Sequence, residues 1–307
     1  MKTHQFFLQL AAAAILVALL VLSVSAQSKC AETAAVVKPQ LSEKAEELYN
    51  AKLAEASADY VNNAKNADAI IWLGRRHAYL GSYKRAIEIF TEGIVSYPKD
   101  PRFYRHRGHR FISIRCFDDA VKDFETAAKL IEGKPDEIEP DGLPNARNIP
   151  TSTLQSNIWY HLGLAYYLKG DFKNALRAYR ECIKVSKNPD MLVATTNWLY
   201  ATLRRLNKPK EAALAIQPIK DDLDIIENDG YYKLIKVFQG KISADELLNE
   251  IGKSGDSLND ASVGYGLGNW FLINGDKDKA NKIFSEISSG DQWSSFGFIA
   301  AEAELKR

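Results

Sequence analysis

A run of arginines and histidines is the first feature of this sequence whose residue types could do chemistry. Residues 101–117 contain five arginines, two histidines and no acidic residue: Arg102, Arg105, His106, Arg107, His109, Arg110 and Arg115. A guanidinium stays charged at neutral pH and offers a planar fork of donors that matches a carboxylate. The run therefore predicts recognition of an acidic group, with a solvated basic face as the alternative.

Metal binding is a second use for the same run. His106 and His109 lie one turn apart on a helix and could face the same way. A zinc site needs three or four ligands; the further candidates are His161, in another repeat, and Cys116, which lies at a turn. We predict no metal and no cofactor.

The sequence lacks the spacings of common catalytic sites. It has no Gly-x-Ser-x-Gly, Cys-x-x-Cys or His-Glu-x-x-His motif. Residues 264–268 (Gly-Tyr-Gly-Leu-Gly) superficially resemble a phosphate-binding loop, but they follow no strand pattern and fall inside a helical one. We predict that the protein is not an enzyme.

The N-terminus and the charge balance bear on where the protein acts. Residues 1–26 join Lys2, an apolar run and the small residues of Val24-Ser25-Ala26, which predicts a signal peptide cleaved after Ala26 and export to the periplasm or medium. An uncleaved N-terminal anchor is the alternative. Without Lys2 the chain has 39 basic and 39 acidic residues, so net charge favours neither nucleic acid nor a membrane surface as a partner.

Glycines followed by alanines and aromatic residues at fixed spacing organise the rest of the chain. Gly74, Gly108, Gly163 and Gly268 are each followed by alanine twelve positions later and by an aromatic residue sixteen positions later. The first two glycines are 34 residues apart. Such a period predicts stacked helix pairs that share a continuous core.

The pattern resembles the tetratricopeptide repeat. Leu73-Gly74, Ala86, Phe90 and Pro98 match one copy, and Leu162-Gly163, Ala175 and Tyr179 match another, with Gly81, Gly170 and Gly275 at the turns. The resemblance implies an all-α, right-handed α-solenoid of five to six helix pairs over residues 42–307, closed by a C-terminal capping helix. Residues 27–41 are predicted to be a flexible linker, and residues 133–155, rich in proline and acid, a long inserted loop.

The resemblance also implies a concave surface lined by the first helix of each repeat. The positions that line it carry basic and aromatic residues: Arg75, Tyr79, Arg102, Arg105, His106, His109, Tyr160, His161, Tyr167, Asn197, Trp198 and Arg204. We expect a non-catalytic scaffold that holds a partner protein or acidic peptide there. The acidic insert could fold over the arginines as a tethered competitor. A protein that binds a small molecule or glycan on the aromatic rings is the alternative.

Overall fold

The structure, a computed structural model, describes residues 28–253 and 257–307. By internal contacts the chain divides into residues 1–34 and residues 35–307. In the first unit the described part contains α1 (Lys29–Thr33), inside the range predicted as a linker. The predicted signal peptide, residues 1–26, lies outside the described residues. No helix within the described ranges is both long enough and apolar enough to cross a membrane.

The described part of the second unit is built from fourteen helices. In chain order these are α2 (Glu43–Asn62), α3 (Ala67–Tyr79), α4 (Tyr83–Ser96), α5 (Pro101–Ser113), α6 (Phe117–Ile131), α7 (Leu154–Lys169), α8 (Phe172–Val185), α9 (Pro189–Arg205), α10 (Pro209–Ile216), α11 (Asp229–Phe238), α12 (Ala244–Leu248), α13 (Ser257–Ile273), α14 (Lys277–Ser288) and α15 (Phe296–Leu305). From α2 to α10 each helix packs against the next, which confirms the predicted all-helical solenoid.

The glycine and aromatic positions explain the pairing of helices. A Cβ atom added at Gly163 would lie 2.6 Å from the Tyr179 ring, and one added at Gly74 would lie 2.4 Å from Phe90. Only hydrogen at these glycines lets the aromatic ring of the second helix fit against the first. Both rings are almost completely buried. The same contact recurs at Gly108 and Gly268, so all four copies of the pattern are built alike.

The turns inside the helix pairs require a left-handed backbone. Gly81, Gly170 and Gly275 have φ values of 75°, 81° and 98°, as their predicted positions require. Where glycine is missing, Arg115 (φ 66°) and Asn207 (φ 56°) adopt the same conformation. The turn between helices is therefore conserved in geometry even in the repeats that depart from the sequence pattern.

The C-terminal helix does more than cap the last pair. Helix α15 packs against α13 and α14 and also against α7, which is far from it in sequence. Glu304 pairs with Arg205 at 2.8 Å, and Arg307 donates to the carbonyl oxygens of Tyr167 and Leu168 at 2.8 and 2.6 Å. The chain thus places its own C-terminal helix beside the first helices of the middle repeats.

Candidate binding site on the inner face

The first helices of successive pairs lie side by side and form one surface, which we call the inner face: α3, α5, α7, α9 and α13. Three segments outside the repeat pattern cover parts of it. These are the insert between α6 and α7, the loop between α10 and α11, and the C-terminal residues from 293 onward. The candidate site lies between the inner face and these segments.

Hydrogen bonds hold the insert on the inner face near its start and in its middle. Asp136 accepts hydrogen bonds from Thr153 Oγ1 (2.6 Å) and Gln155 N (3.0 Å) at the start of α7. Farther along the insert, Arg75 donates to the carbonyl oxygen of Pro140 at 2.8 Å, and Arg76 donates to that of Gly142 at 3.0 Å. The insert is therefore an ordered strap between α7 and α3.

Glu139 is the acidic residue of the insert that reaches the arginines. Its Oε2 lies 2.9 Å from Arg105 Nε, and both side chains are about nine-tenths buried. The Nε–H group does not point at this oxygen, so the pair is held by charge without a directed hydrogen bond. Asn157 Nδ2 donates to the same carboxylate at 3.2 Å. Desolvation lowers the pKa of Arg105, and the neighbouring Glu139 partly offsets this effect.

The histidines beside the arginines are held neutral. Arg105 Nη1 lies 3.1 Å from His106 Nδ1, and because a guanidinium can only donate, this nitrogen is the acceptor. His161 Nδ1 is 2.6 Å from the carbonyl oxygen of Asn157 and donates to it. Burial lowers the pKa of His161 to about 3 and those of His106 and His109 well below their usual range, and the nearby arginines add to the effect.

Arg110 contacts an aromatic ring and, unlike Arg105, forms no ion pair among the residues that the structure describes. Its guanidinium lies 5.6 Å from the centroid of the Tyr83 ring. Arg75 likewise forms no ion pair there and donates to Pro140 O and Tyr79 Oη instead. Burial is the main cause that lowers the pKa of Arg110 to about 10; Arg105 and Arg75 contribute, and Tyr83 and Tyr79 oppose the shift. Arg110 therefore remains a cation at neutral pH.

Two neighbouring cavities lie along this surface. The smaller, of about 250 Å³, is lined by Arg75, Tyr79, Arg105, Arg110 and Glu139, together with His106 and His109. The larger, of about 590 Å³, is lined by rings from three different helices: Tyr160, His161, Tyr231 and Phe296. Both cavities are also lined by His109, Thr151, Ser152, Asn157 and Glu227. A cationic compartment therefore adjoins an aromatic one.

The structure separates the predicted lining residues into three groups. Arg75, Tyr79, Arg105, His106, His109, Tyr160 and His161 line one or both cavities. Arg102 and Arg204 line neither cavity. Arg102 pairs with Asp100 and Asp68 at 2.6 and 2.5 Å, and Arg204 donates to Tyr200 Oη at 2.8 Å. Tyr167, Asn197 and Trp198 are packed in the core.

Some residues of the site do not follow from the repeat pattern. Arg110 lies one turn after His106, so helical spacing could have added it to the lining residues. Tyr231 and Phe296 come from segments whose approach to the inner face has no signal in a single sequence. Glu139 belongs to the predicted insert, but the sequence did not distinguish it from the neighbouring acids.

Comparisons with known proteins agree with this architecture. Residues 156–189 match the family model described as tetratricopeptide repeat, and these residues span α7 and α8. One helix pair of the chain is thus similar to a tetratricopeptide repeat. No curated protein sequence matches it significantly.

Several solved structures align with the chain at low sequence identity. The APC/C hetero-tetramer Cut9-Hcn1 aligns with a TM-score of 0.51 and 14% identity, over 86% of this chain and 46% of that chain. A tetratricopeptide repeat protein from Parabacteroides merdae aligns with a TM-score of 0.48 and 14% identity, over 84% and 96%. YrrB, described as a TPR protein with an unusual peptide-binding site, aligns at 0.43 and 12% identity, over 81% and 97%.

Proposed function

We propose that this protein is an exported, non-catalytic scaffold that binds an acidic segment of a partner protein at the arginines of its inner face. The proposal joins three features: a helical repeat architecture, a neutral chain with cations concentrated on one helix, and a segment predicted to direct export. Arrays of this kind expose extended surfaces suited to binding other chains.

The observation that carries the proposal is the position of Glu139 beside Arg105. A buried guanidinium is unfavourable unless an anion accompanies it, because desolvation of an uncompensated charge is costly. In this structure the chain's own insert supplies that anion, 2.9 Å from Arg105 Nε. The site is thus built for a carboxylate, and the pair lacks a directed hydrogen bond, which favours exchange for a carboxylate that binds in better geometry.

The position of the insert explains how exchange would occur. Two arginine side chains of α3 donate to carbonyl oxygens of the insert, Arg75 to Pro140 and Arg76 to Gly142, and Tyr79 of α3 lies beside Gly142. A partner segment that brings a carboxylate to Arg105 and Arg75 would replace Glu139 and release the middle of the insert. The anchor at Asp136 would keep the insert tethered to α7.

Affinity capture from a native envelope extract tests this function. The bait is the chain from residue 27 onward, compared with an Arg75→Glu/Arg105→Glu variant and with an Arg85→Glu control. Arg85 is exposed and pairs with Glu88 on α4, away from the inner face. We expect one protein to be retained by the native chain and the control and lost from the double variant. Equal retention by all three would contradict the proposal.

Export has a separate test. If residues 1–26 are a signal peptide, the intact mass of the protein purified from its native envelope starts at Gln27. A mass that includes Met1 would contradict cleavage and favour the anchored alternative.

A further inference from the structure

The larger cavity has the size and lining of a small-molecule site. Its volume of about 590 Å³ falls within the range of roughly 300–1,000 Å³ typical of ligand pockets. Tyr160, His161, Tyr231 and Phe296 supply aromatic surface, and Met191 and Ala194 add apolar surface. Asn157, Asn228 and Ser262 place a few polar groups among them. Two carboxylates also line the cavity: Glu227 accepts from Thr151 Oγ1, and Asp229 pairs with Lys233 at 3.1 Å. Such a lining suits a ring or short apolar body with some polar substituents.

The tyrosine hydroxyls of this cavity are neutral at physiological pH. Burial raises the pKa of Tyr160 well above its usual value, and the neighbouring Tyr231 raises it further. Burial also raises the pKa of Tyr231. Each hydroxyl therefore remains able both to donate and to accept a hydrogen bond.

The adjoining smaller cavity adds a positive charge for which the described part of the chain shows no ion pair. Its three acidic residues already have partners: Glu139 lies against Arg105, Asp141 accepts from Leu143 N, and Glu227 accepts from Thr151 Oγ1. Arg75 donates to Pro140 and Tyr79. Arg110 is left with a ring contact to Tyr83 and, within the described ranges, no ion pair.

The two cavities are close enough for one ligand to use both. Five residues line both cavities, and they come from α5, α7 and the loops before α7 and α11. His109, on the shared wall, lies one residue before Arg110 on α5, and its ring centroid is 5.4 Å from that of Phe296. A molecule with an anionic group and a ring body would meet Arg110 at one end and the aromatic lining at the other.

We infer that the inner face binds a small organic anion, with its carboxylate, sulfonate or phosphate group at Arg110 and its ring or apolar body between Tyr160, Tyr231 and Phe296. This inference is independent of the proposed partner protein. Capture of the partner depends on Arg75 and Arg105, whereas the small ligand depends on Arg110 and the larger cavity.

A fluorescence titration with 8-anilinonaphthalene-1-sulfonate tests the inference, because this dye combines one sulfonate with aromatic rings. We expect saturable binding at one site per chain. The uncharged analogue N-phenyl-1-naphthylamine should bind roughly tenfold more weakly or worse, because it lacks the charge-assisted hydrogen bonds to Arg110. Binding of both dyes with equal affinity, or no saturable binding of the sulfonate, would overturn the inference.

Two variants and one control locate the dye. Arg110→Met removes the cation and should weaken sulfonate binding roughly tenfold or more while leaving the uncharged dye unaffected. Ser262→Phe places a ring in the larger cavity from a partly exposed position and should weaken both dyes. Arg85→Met removes an exposed arginine of α4 and should change neither. Circular dichroism checks that each variant is folded, and sulfonate binding unchanged in both folded site variants would overturn the assignment.

Discussion

Arg107 shows how a single residue departs from the repeat pattern and is accommodated. It stands where the repeat usually has leucine, and its side chain is largely buried between α5 and α6. Asp123 receives two of its hydrogen bonds, from Nε at 2.8 Å and from Nη2 at 2.7 Å, and Thr91 accepts a third at 3.0 Å. The repeat pattern does not predict this pair, because Asp123 lies on the other helix of the same repeat.

The Arg107–Asp123 pair gives a prediction about stability. Asp123→Ala leaves a buried guanidinium without its carboxylate, so we expect the free energy of unfolding to fall by about 3–5 kcal/mol. The double variant Arg107→Leu/Asp123→Ala restores the usual leucine and should recover most of that loss. Urea denaturation of the single and double variants measures both values. A double variant less stable than Asp123→Ala would contradict the account.

The buried histidines give a prediction about pH. The pKa of His161 in the folded protein is about 3, whereas an unfolded histidine has a pKa of about 6.5. Between pH 6.5 and pH 3 the unfolded state therefore binds a proton that the folded state does not. The contribution of His161 to the free energy of unfolding is complete above about pH 6.5 and is lost as the pH falls towards 3. We expect His161→Asn to reduce the slope of unfolding free energy against pH by up to about 1.4 kcal/mol per pH unit across that window.

A matched variant separates this effect from a general response to acid. His77→Asn removes a half-buried histidine, whose pKa is lowered by burial and by Arg85. It should reduce the slope by less than His161→Asn does. Slopes that are identical in the native protein and in His161→Asn, measured by urea denaturation between pH 4 and pH 7, would show that His161 is not held neutral.

At the scale of the element, the close contact between paired helices depends on one glycine and one ring. Gly163 on α7 faces Tyr179 on α8, and Tyr179 is fully buried. A larger residue at position 163 requires a smaller one at position 179, because a Cβ at position 163 would lie 2.6 Å from the tyrosine ring. The spacing of sixteen residues between them is visible in the sequence, where it predicted stacked helix pairs but not this particular contact.

This contact predicts that alanine at position 163 destabilises the protein even though alanine favours helix formation. Overpacking against Tyr179 should lower the free energy of unfolding by about 1–3 kcal/mol. The helix propensity of alanine offsets up to about 1 kcal/mol of this. Gly163→Ala combined with Tyr179→Leu should be less destabilised than the sum of the two single variants, as measured by urea denaturation. Strict additivity would contradict direct contact.

The positions of the helices could be predicted from the sequence because the residues that determine them lie within each repeat. The solenoid predicted to start at residue 42 begins with α2 (Glu43–Asn62), and Gly268, the last glycine of the pattern, lies on α13, which pairs with α14. The Gly-Tyr-Gly-Leu-Gly stretch lies inside α13, as its helical pattern indicated, and Gly266 packs against Leu234. Capping and turn residues, such as Gly170 at the end of α7, determine these boundaries locally.

At the scale of the whole molecule, the sequence gives less information, because contacts between distant segments have no period. Arg115 donates to the carbonyl oxygen of Trp293 at 2.7 Å and pairs with Glu302 at 2.7 Å. Helix α15 also packs against α7. The C-terminal part of the chain therefore covers part of the inner face. Tyr167 and Trp198, predicted as exposed lining, are therefore core residues in the folded protein.

The insert occupies another part of the inner face, and its position reflects charge. It was predicted from its prolines and its interruption of the repeat period, with folding over the arginines as one hypothesis. The structure places Glu139 of the insert beside Arg105 and the carbonyl oxygen of Pro140 beside Arg75. An external acidic ligand would have to displace Glu139 from Arg105 to bind there.

Exchange at Arg105 is the central claim, and binding of an acidic peptide in trans tests it most directly. The probe is a fluorescein-labelled peptide with the sequence of residues 135–143, and the readout is fluorescence anisotropy. In the native chain the tethered copy competes at an effective concentration in the millimolar range. Glu139→Gln removes the tethered carboxylate and keeps its shape, so the peptide should bind this variant at least roughly tenfold more tightly than the native chain.

Two controls decide the outcome. A peptide with glutamine in place of the residue equivalent to Glu139 should not bind, and the double variant Arg105→Met/Glu139→Gln should not bind the acidic peptide. Binding of the acidic peptide by Glu139→Gln that is lost in both controls is the result we predict. If the Glu139→Gln variant fails to bind the acidic peptide, or binds both peptides equally, Arg105 is not a site of carboxylate exchange.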